Sequence, residues 1–98
     1  MLINKTDKNT VYTFKTVTGE EIISRVSESD ATTYTLLKPL VMIVTPQGGF
    51  GLAPAVYSIG PSDTIVLNKR AVVLSGKTES DIATQYLSKT TGLTLATA

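Results

Sequence analysis

What most limits the folds open to this chain is how its β-branched residues are punctuated. Threonine, valine and isoleucine supply 32 of the 98 residues, and they fall in short runs between Gly, Pro and Asp instead of recurring at helical spacing. Stiff branched side chains in runs bounded by turn formers favour strands, so the pattern predicts a mostly β domain. A chain of this length buries only about 65% of its unfolded surface and holds one modest core, which makes residues 1–98 a single domain.

Residues 11–17 read as the first strand, with Tyr12 and Phe14 on one face. Thr18-Gly19 is a tight hairpin, since glycine takes a positive φ without steric cost. Residues 21–28 form the second strand, 27–31 a polar bend, and 32–37 the start of a third. Pro39 has no amide proton for a ladder, yet Leu40-Val41-Met42-Ile43-Val44 continues the apolar run, which predicts one long, strongly bent strand. Residues 46–51 are loop chemistry, 52–59 a fourth strand and 60–63 a turn. Residues 64–67 and 71–75 complete the sheet around Asn68-Lys69-Arg70. Segments 40–44, 65–67 and 72–74 do not alternate polar with apolar, so both their faces are expected to be covered.

The tail changes period. Thr78-Glu79-Ser80-Asp81 has the form of a capping box with Thr78 as N-cap, and Ile82, Tyr86 and Leu87 then share one helical face. A helix over about residues 79–90 follows, stopped by Gly92 and Leu93. The β segments together read as a small barrel over about residues 11–75.

Composition closes several routes to chemistry. There is no cysteine and no histidine, which removes disulfides, thiolates and the commonest acid-base group and metal ligand. Ser24 and Ser75 have no base to activate them, and Glu20 and Glu21, adjacent on a strand, point to opposite faces. The carboxylates are scattered, so neither metal nor cofactor is expected, and the chain reads as non-enzymatic. Gly48-Gly49-Phe50-Gly51 lacks the Lys-Ser/Thr ending of a phosphate loop and opens a strand, so it reads as a loop, with Phe50 available to a partner. Asn4-Lys5-Thr6 matches a glycosylation sequon by chance. With net charge +1, any polyanion site has to be local. Residues 1–8 lack the form of a signal peptide and no run approaches a membrane span, so a cytoplasmic, unexported protein is expected.

Gly19, the strand Glu21-Ile22-Ile23-Ser24-Arg25-Val26, Asp30 and Leu37 together resemble the first motif of the Sm and Sm-like (LSm) family, in ungapped register. Ser24 stands where that family usually has a second glycine. The second motif is echoed only dimly by Leu67-Asn68-Lys69-Arg70-Ala71-Val72. The chain is most similar to small Sm-like proteins of phage (cyanophage-like) origin, which share a glycine-rich middle and a C-terminal helix; other members more often carry the helix at the N-terminus.

The resemblance implies a small five-stranded, strongly bent antiparallel barrel. Its subunits would pair edge to edge into a cyclic homo-oligomer of about five to seven copies, closing otherwise aggregation-prone edges. It also implies where RNA would bind. Asp30 matches the family's aspartate; Tyr34 takes the place of the base-reading Asn, and Asn68 and Lys69 take the places of the second motif's Arg and Gly. A tyrosine can stack on a base, and Lys69 and Arg70 can meet phosphate. Two expectations stand: a ring-forming binding module, with single-stranded RNA or a phage or host protein as partner, and a structural or adaptor ring of a phage particle in the host cytoplasm. In the second, Asp30 fixes a turn, Tyr34 packs, and residues 68–70 form a solvated tip.

Overall fold

The structure, a computed structural model, describes residues 9–59 and 65–91. The chain start at 1–8 with its sequon, the turn at 60–63, Thr64 and the helix stop at Gly92 and Leu93 lie outside the described residues. Strands β1 (Val11–Thr16), β2 (Glu21–Ser29), β3 (Thr33–Val44), β4 (Phe50–Pro54), β5 (Ile65–Asn68) and β6 (Val72–Lys77) precede one helix, α1 (Ser80–Thr91). A 3-10 turn, Lys69–Ala71, separates β5 from β6.

All pairings are antiparallel, in the order β4-β3-β2-β1-β6, with β5 also on β3. The six β segments read from the sequence are six strands, where the resemblance implies five. β4 pairs Leu40 to Val44 and β5 pairs Thr33 to Leu36, so both lie along the same edge of β3. The strand expected over 52–59 runs 50–54 instead. Pro54 brings no donor, Ala55 makes one last bond to the Pro39 carbonyl (3.2 Å), and 56–59 leave the edge.

The closed barrel is also corrected. β5 and β6 sit at opposite ends of the sheet and do not pair with each other. The turn at 69–71 redirects the chain from β3 to β1, held by the Lys69 amide on the Thr32 carbonyl and the Val17 amide on the Ala71 carbonyl, both 2.8 Å. A corner fixed to two different neighbours cannot act as a hairpin, so the sheet curls without sealing.

Two register shifts bend the β2–β3 pair, one with Ser27 extra on β2 and a second with the extra residue on β3. Ile23 pairs with Leu40 but Arg25 pairs with Leu37, so Lys38 and Pro39 together oppose Ser24. Pro39 has no amide to offer here, and Lys38 takes φ +52°, a left-handed conformation costing a branchless L-residue about 1 kcal/mol. An inserted residue exchanges the two faces of a strand downstream. Accordingly Tyr34 and Leu36 join Tyr12, Phe14 and Val26 inside the curl, whereas Leu40 and Met42 turn to the other face, among Val11, Ile23 and Leu52 beneath α1.

The helix is keyed to this bulge. Tyr86 is fully buried, and its hydroxyl donates to the Leu37 carbonyl (2.5 Å) and accepts from the Arg25 amide (3.1 Å). Beside it, buried Ser24 shares its hydroxyl proton between the carbonyls of Arg25 (2.7 Å) and Leu37 (3.1 Å). Backbone groups that a bulge would leave orphaned are thereby satisfied. Ile82, Ala83 and Leu87 pack around Tyr86 on the same core.

The cap of α1 differs from expectation. Glu79 holds the helix start, its carboxylate accepting from the amides of Asp81 (3.1 Å) and Ile82 (3.2 Å). Thr78 instead finishes the sheet: its amide donates to the Val11 carbonyl and its hydroxyl meets that of Thr13, both at 2.9 Å. Because β6 runs on to Lys77, the cap role falls one residue later, to the side chain that can reach back.

Tyr86→Phe keeps the ring, takes away the acceptor of the Arg25 amide and leaves the Leu37 carbonyl with Ser24 alone. It is expected to cost about 1–3 kcal/mol in urea denaturation with the fold retained; a loss below about 0.5 kcal/mol would show that the hydroxyl is not needed there.

Candidate nucleic-acid interface

All five residues expected at the RNA site come together at one end of the β3–β5 ladder, where Thr33 pairs with Asn68 and Tyr34 with Leu67. Asp30 sits in the bend between β2 and β3. One carboxylate oxygen accepts from the amides of Thr32 (2.8 Å) and Thr33 (2.7 Å), the other from the Thr33 hydroxyl (3.0 Å), and its own amide donates to the Thr33 carbonyl. Those backbone bonds, Thr32's first, hold its carboxyl below the ordinary value of 3.8. Asp30 is occupied by its own turn.

Tyr34 is 5% exposed and lies inside the curl, its ring 4.8 Å from that of Phe14 at 45°. The Lys69 ammonium sits 4.7 Å from its centroid. A base therefore finds no open tyrosine face within one subunit, because the ring is packed on Phe14 and covered by the Lys69 ammonium in a cation–π contact. Asn68 caps the 3-10 turn, its Oδ1 accepting from the Arg70 amide at 2.9 Å. What the cluster presents outward is cationic: half-buried Lys69 and exposed Arg70, with Asp30 beside them. That arrangement can meet the phosphate of a strand; it does not form hydrogen bonds to a base edge through Asn68 Oδ1.

Elsewhere the side chains with chemical potential are engaged structurally. The Ser24 hydroxyl faces carbonyls in the bulge, Glu20 accepts from the Thr18 hydroxyl (2.9 Å), and Glu21 pairs with Lys15 opposite it (3.8 Å). Among the described residues no three potential ligand side chains gather as a metal site, and no helix is long and apolar enough to cross a membrane. Gly48 takes φ +86° in the β3–β4 turn, where the amides of Gly48 and Gly49 bond back to Thr45, and Phe50 opens β4 with its side chain exposed.

The sequence reading missed a second feature. An apolar cavity of about 390 Å³ opens where β4 and β5 part, with Lys38 and Lys89 at its walls. Fifty-odd residues separate these two lysines, and only the bulge and the docked helix bring them together, so no sequence spacing announces it. No family model matches the chain, and no curated protein does.

Asp30 and Glu79 both have lowered carboxyl pKa values, Glu79 through the Asp81 and Ile82 amides. For a depressed carboxylate the native state binds fewer protons than the unfolded chain. The stability it adds is thus complete above the ordinary values of 3.8 and 4.5 and is lost as pH falls through the folded values. The double variant Asp30→Asn, Glu79→Gln is expected to be less stable than the parent at neutral pH, the gap narrowing in denaturant titrations as pH drops below about 4. A gap independent of pH would contradict these roles.

Proposed function

We propose that this protein is a non-enzymatic, ring-forming Sm-like module whose copies join head to tail, β5 of one against β6 of the next. The observation that carries this reading is a matched pair of open, apolar sheet edges. Neither strand has a partner on its outer side among the described residues, and Val66 on β5, Val73 and Leu74 on β6 are 59%, 57% and 68% exposed. Open apolar edges are an aggregation hazard unless something occupies them. Two different edges on one molecule make a heterologous contact, which closes when the rotation between copies divides a full turn. The non-alternating segments 65–67 and 72–74 acquire their second covering in this way. The split fourth strand and the 3-10 corner are compatible with an Sm-like barrel whose closure is completed between subunits.

Val66→Lys with Leu74→Lys places charge on both edges at positions the isolated fold leaves open. Each apolar side chain withdrawn is worth about 1.5–3 kcal/mol, so the assembly is expected to weaken by at least about 100-fold, with native mass spectrometry moving from a single closed multiple to monomer and circular dichroism unchanged. A parent chain that is monomeric at the concentrations tested would overturn the ring.

A second reading rests on Lys69 and Arg70 at the outer end of the β3–β5 ladder. Repeated around a ring, weak phosphate contacts add into an avid track for a single strand, without base selectivity because Tyr34 is buried. Under this reading, affinity for a uridine-rich oligonucleotide falls steeply with added salt and with Lys69→Ala plus Arg70→Ala, and a cytidine-rich strand binds equally well. No binding even at low salt leaves an assembly or adaptor ring contacting protein alone, as in a phage particle.

A further inference from the structure

We infer that the cavity between β4, β5 and the end of α1 is a binding site for a small apolar carboxylate, such as a medium-chain fatty acid. It exists because of a mismatch in the sheet. On β3 the pairing with β4 ends at Leu40 and that with β5 begins at Leu36, and 56–59 lie off the edge, so the ladder is interrupted at residues 37–39, where the bulge sits. Leu40, Pro54, Val56, Ile59 and Ile65 line the opening, and its volume of about 390 Å³ falls within the range of small-molecule sites, roughly 300–1,000 Å³. On the other side of the same interruption lies a second cavity of about 250 Å³, which shares Pro39, Val56 and Ile65 and reaches Leu36 and Leu67. Glu20 also lines this second cavity, so the carboxylate head is assigned to the first, where the lysines are.

Charge selects among apolar ligands. Lys38 and Lys89 both line the cavity, and neither pairs with a carboxylate among the described residues, where the ion pair is Lys15 with Glu21. The Lys38 ammonium donates to the Thr90 carbonyl (2.7 Å) and that of Lys89 to the Leu52 carbonyl (3.3 Å). Each ammonium carries three donors, so both retain capacity after those bonds. The carbonyl end of α1 opposes an anion with only about half a unit charge, against two full positive charges. Lys38 is also the one described non-glycine residue at positive φ, a strained conformation at the bulge beside the cavity. Apolar walls with two cations at the rim fit an amphiphile with an anionic head better than a neutral one.

The test uses the full chain labelled at Ile, Leu and Val methyl groups, titrated with sodium decanoate, 1-decanol or sodium acetate below micelle concentrations. Decanoate is expected to shift the methyls of Leu40, Val56, Ile59 and Ile65 with affinity at least about tenfold above decanol, and acetate to leave them in place. Lys38→Gln with Lys89→Gln should bring decanoate down to the level of decanol. Lys89→Gln alone, on an exposed helical position, should lower the decanoate affinity several-fold in a chain whose remaining spectrum is unchanged. Equal binding of decanoate and decanol to the parent, shifts confined to Val66 of β5 and to β6, or dissociation of an assembly without cavity shifts would each overturn the assignment, the last by placing decanoate between copies and not in the cavity.

Discussion

The fold turns on the bond between Tyr86 and the backbone of the β2–β3 bulge. An extra residue at Lys38–Pro39 would ordinarily leave amide and carbonyl groups stranded inside the molecule, at a cost comparable to a large share of a small domain's stability. Tyr86 answers the Leu37 carbonyl and the Arg25 amide from the helix side, and Ser24 answers from within the sheet. With those groups satisfied, β3 can change face halfway along and serve two cores, one inside the curl and one beneath α1. The same bulge lies where the pairings of β4 and β5 on β3 part, while the corner at 69–71 carries the chain to the far end of the sheet. The lateral cavity thus sits at the bulge, and the open edges follow from the corner.

Much of this was legible in the residues. Short β-branched runs between turn formers gave the strands, and Pro39 in an unbroken apolar run announced a bend in a long third strand. Ile82, Tyr86 and Leu87 at helical spacing gave the buried face of α1. The rest depended on partners far away in sequence. Whether residues 55–59 continue a strand depends on β3 offering an edge beyond the bulge, and residue propensities alone read them as strand. Thr78 has the chemistry of a cap, but its amide is claimed by Val11, a β1 residue, and the role passes to Glu79. Ser24, in a position where the resembling family uses glycine, is small enough to lie under Tyr86 and adds a hydroxyl that the bulge uses.

The site expected for RNA illustrates the same division. Sequence position brought Asp30, Tyr34, Asn68, Lys69 and Arg70 to notice, and the ladder between β3 and β5 gathers them. Their orientation is a matter of packing. Asp30 and Asn68 spend their oxygens on local turns, and Tyr34 lies against Phe14. The outward chemistry is therefore charge from Lys69 and Arg70, suited to a phosphate backbone and not to reading bases. A chain of almost neutral net charge gains useful attraction from such a tip only by repetition, which ties any nucleic-acid role to assembly.

The central claim is that this chain leaves two sheet edges for copies of itself, and hydrogen exchange of the intact protein at working concentration tests it most directly. If copies occupy those edges, the outward amides of β5 and β6, which have no strand partner among the described residues, exchange as slowly as those of the inner strands and become fast on dilution to monomer. Fast exchange of both edges at every concentration, with the inner strands protected throughout, would contradict it.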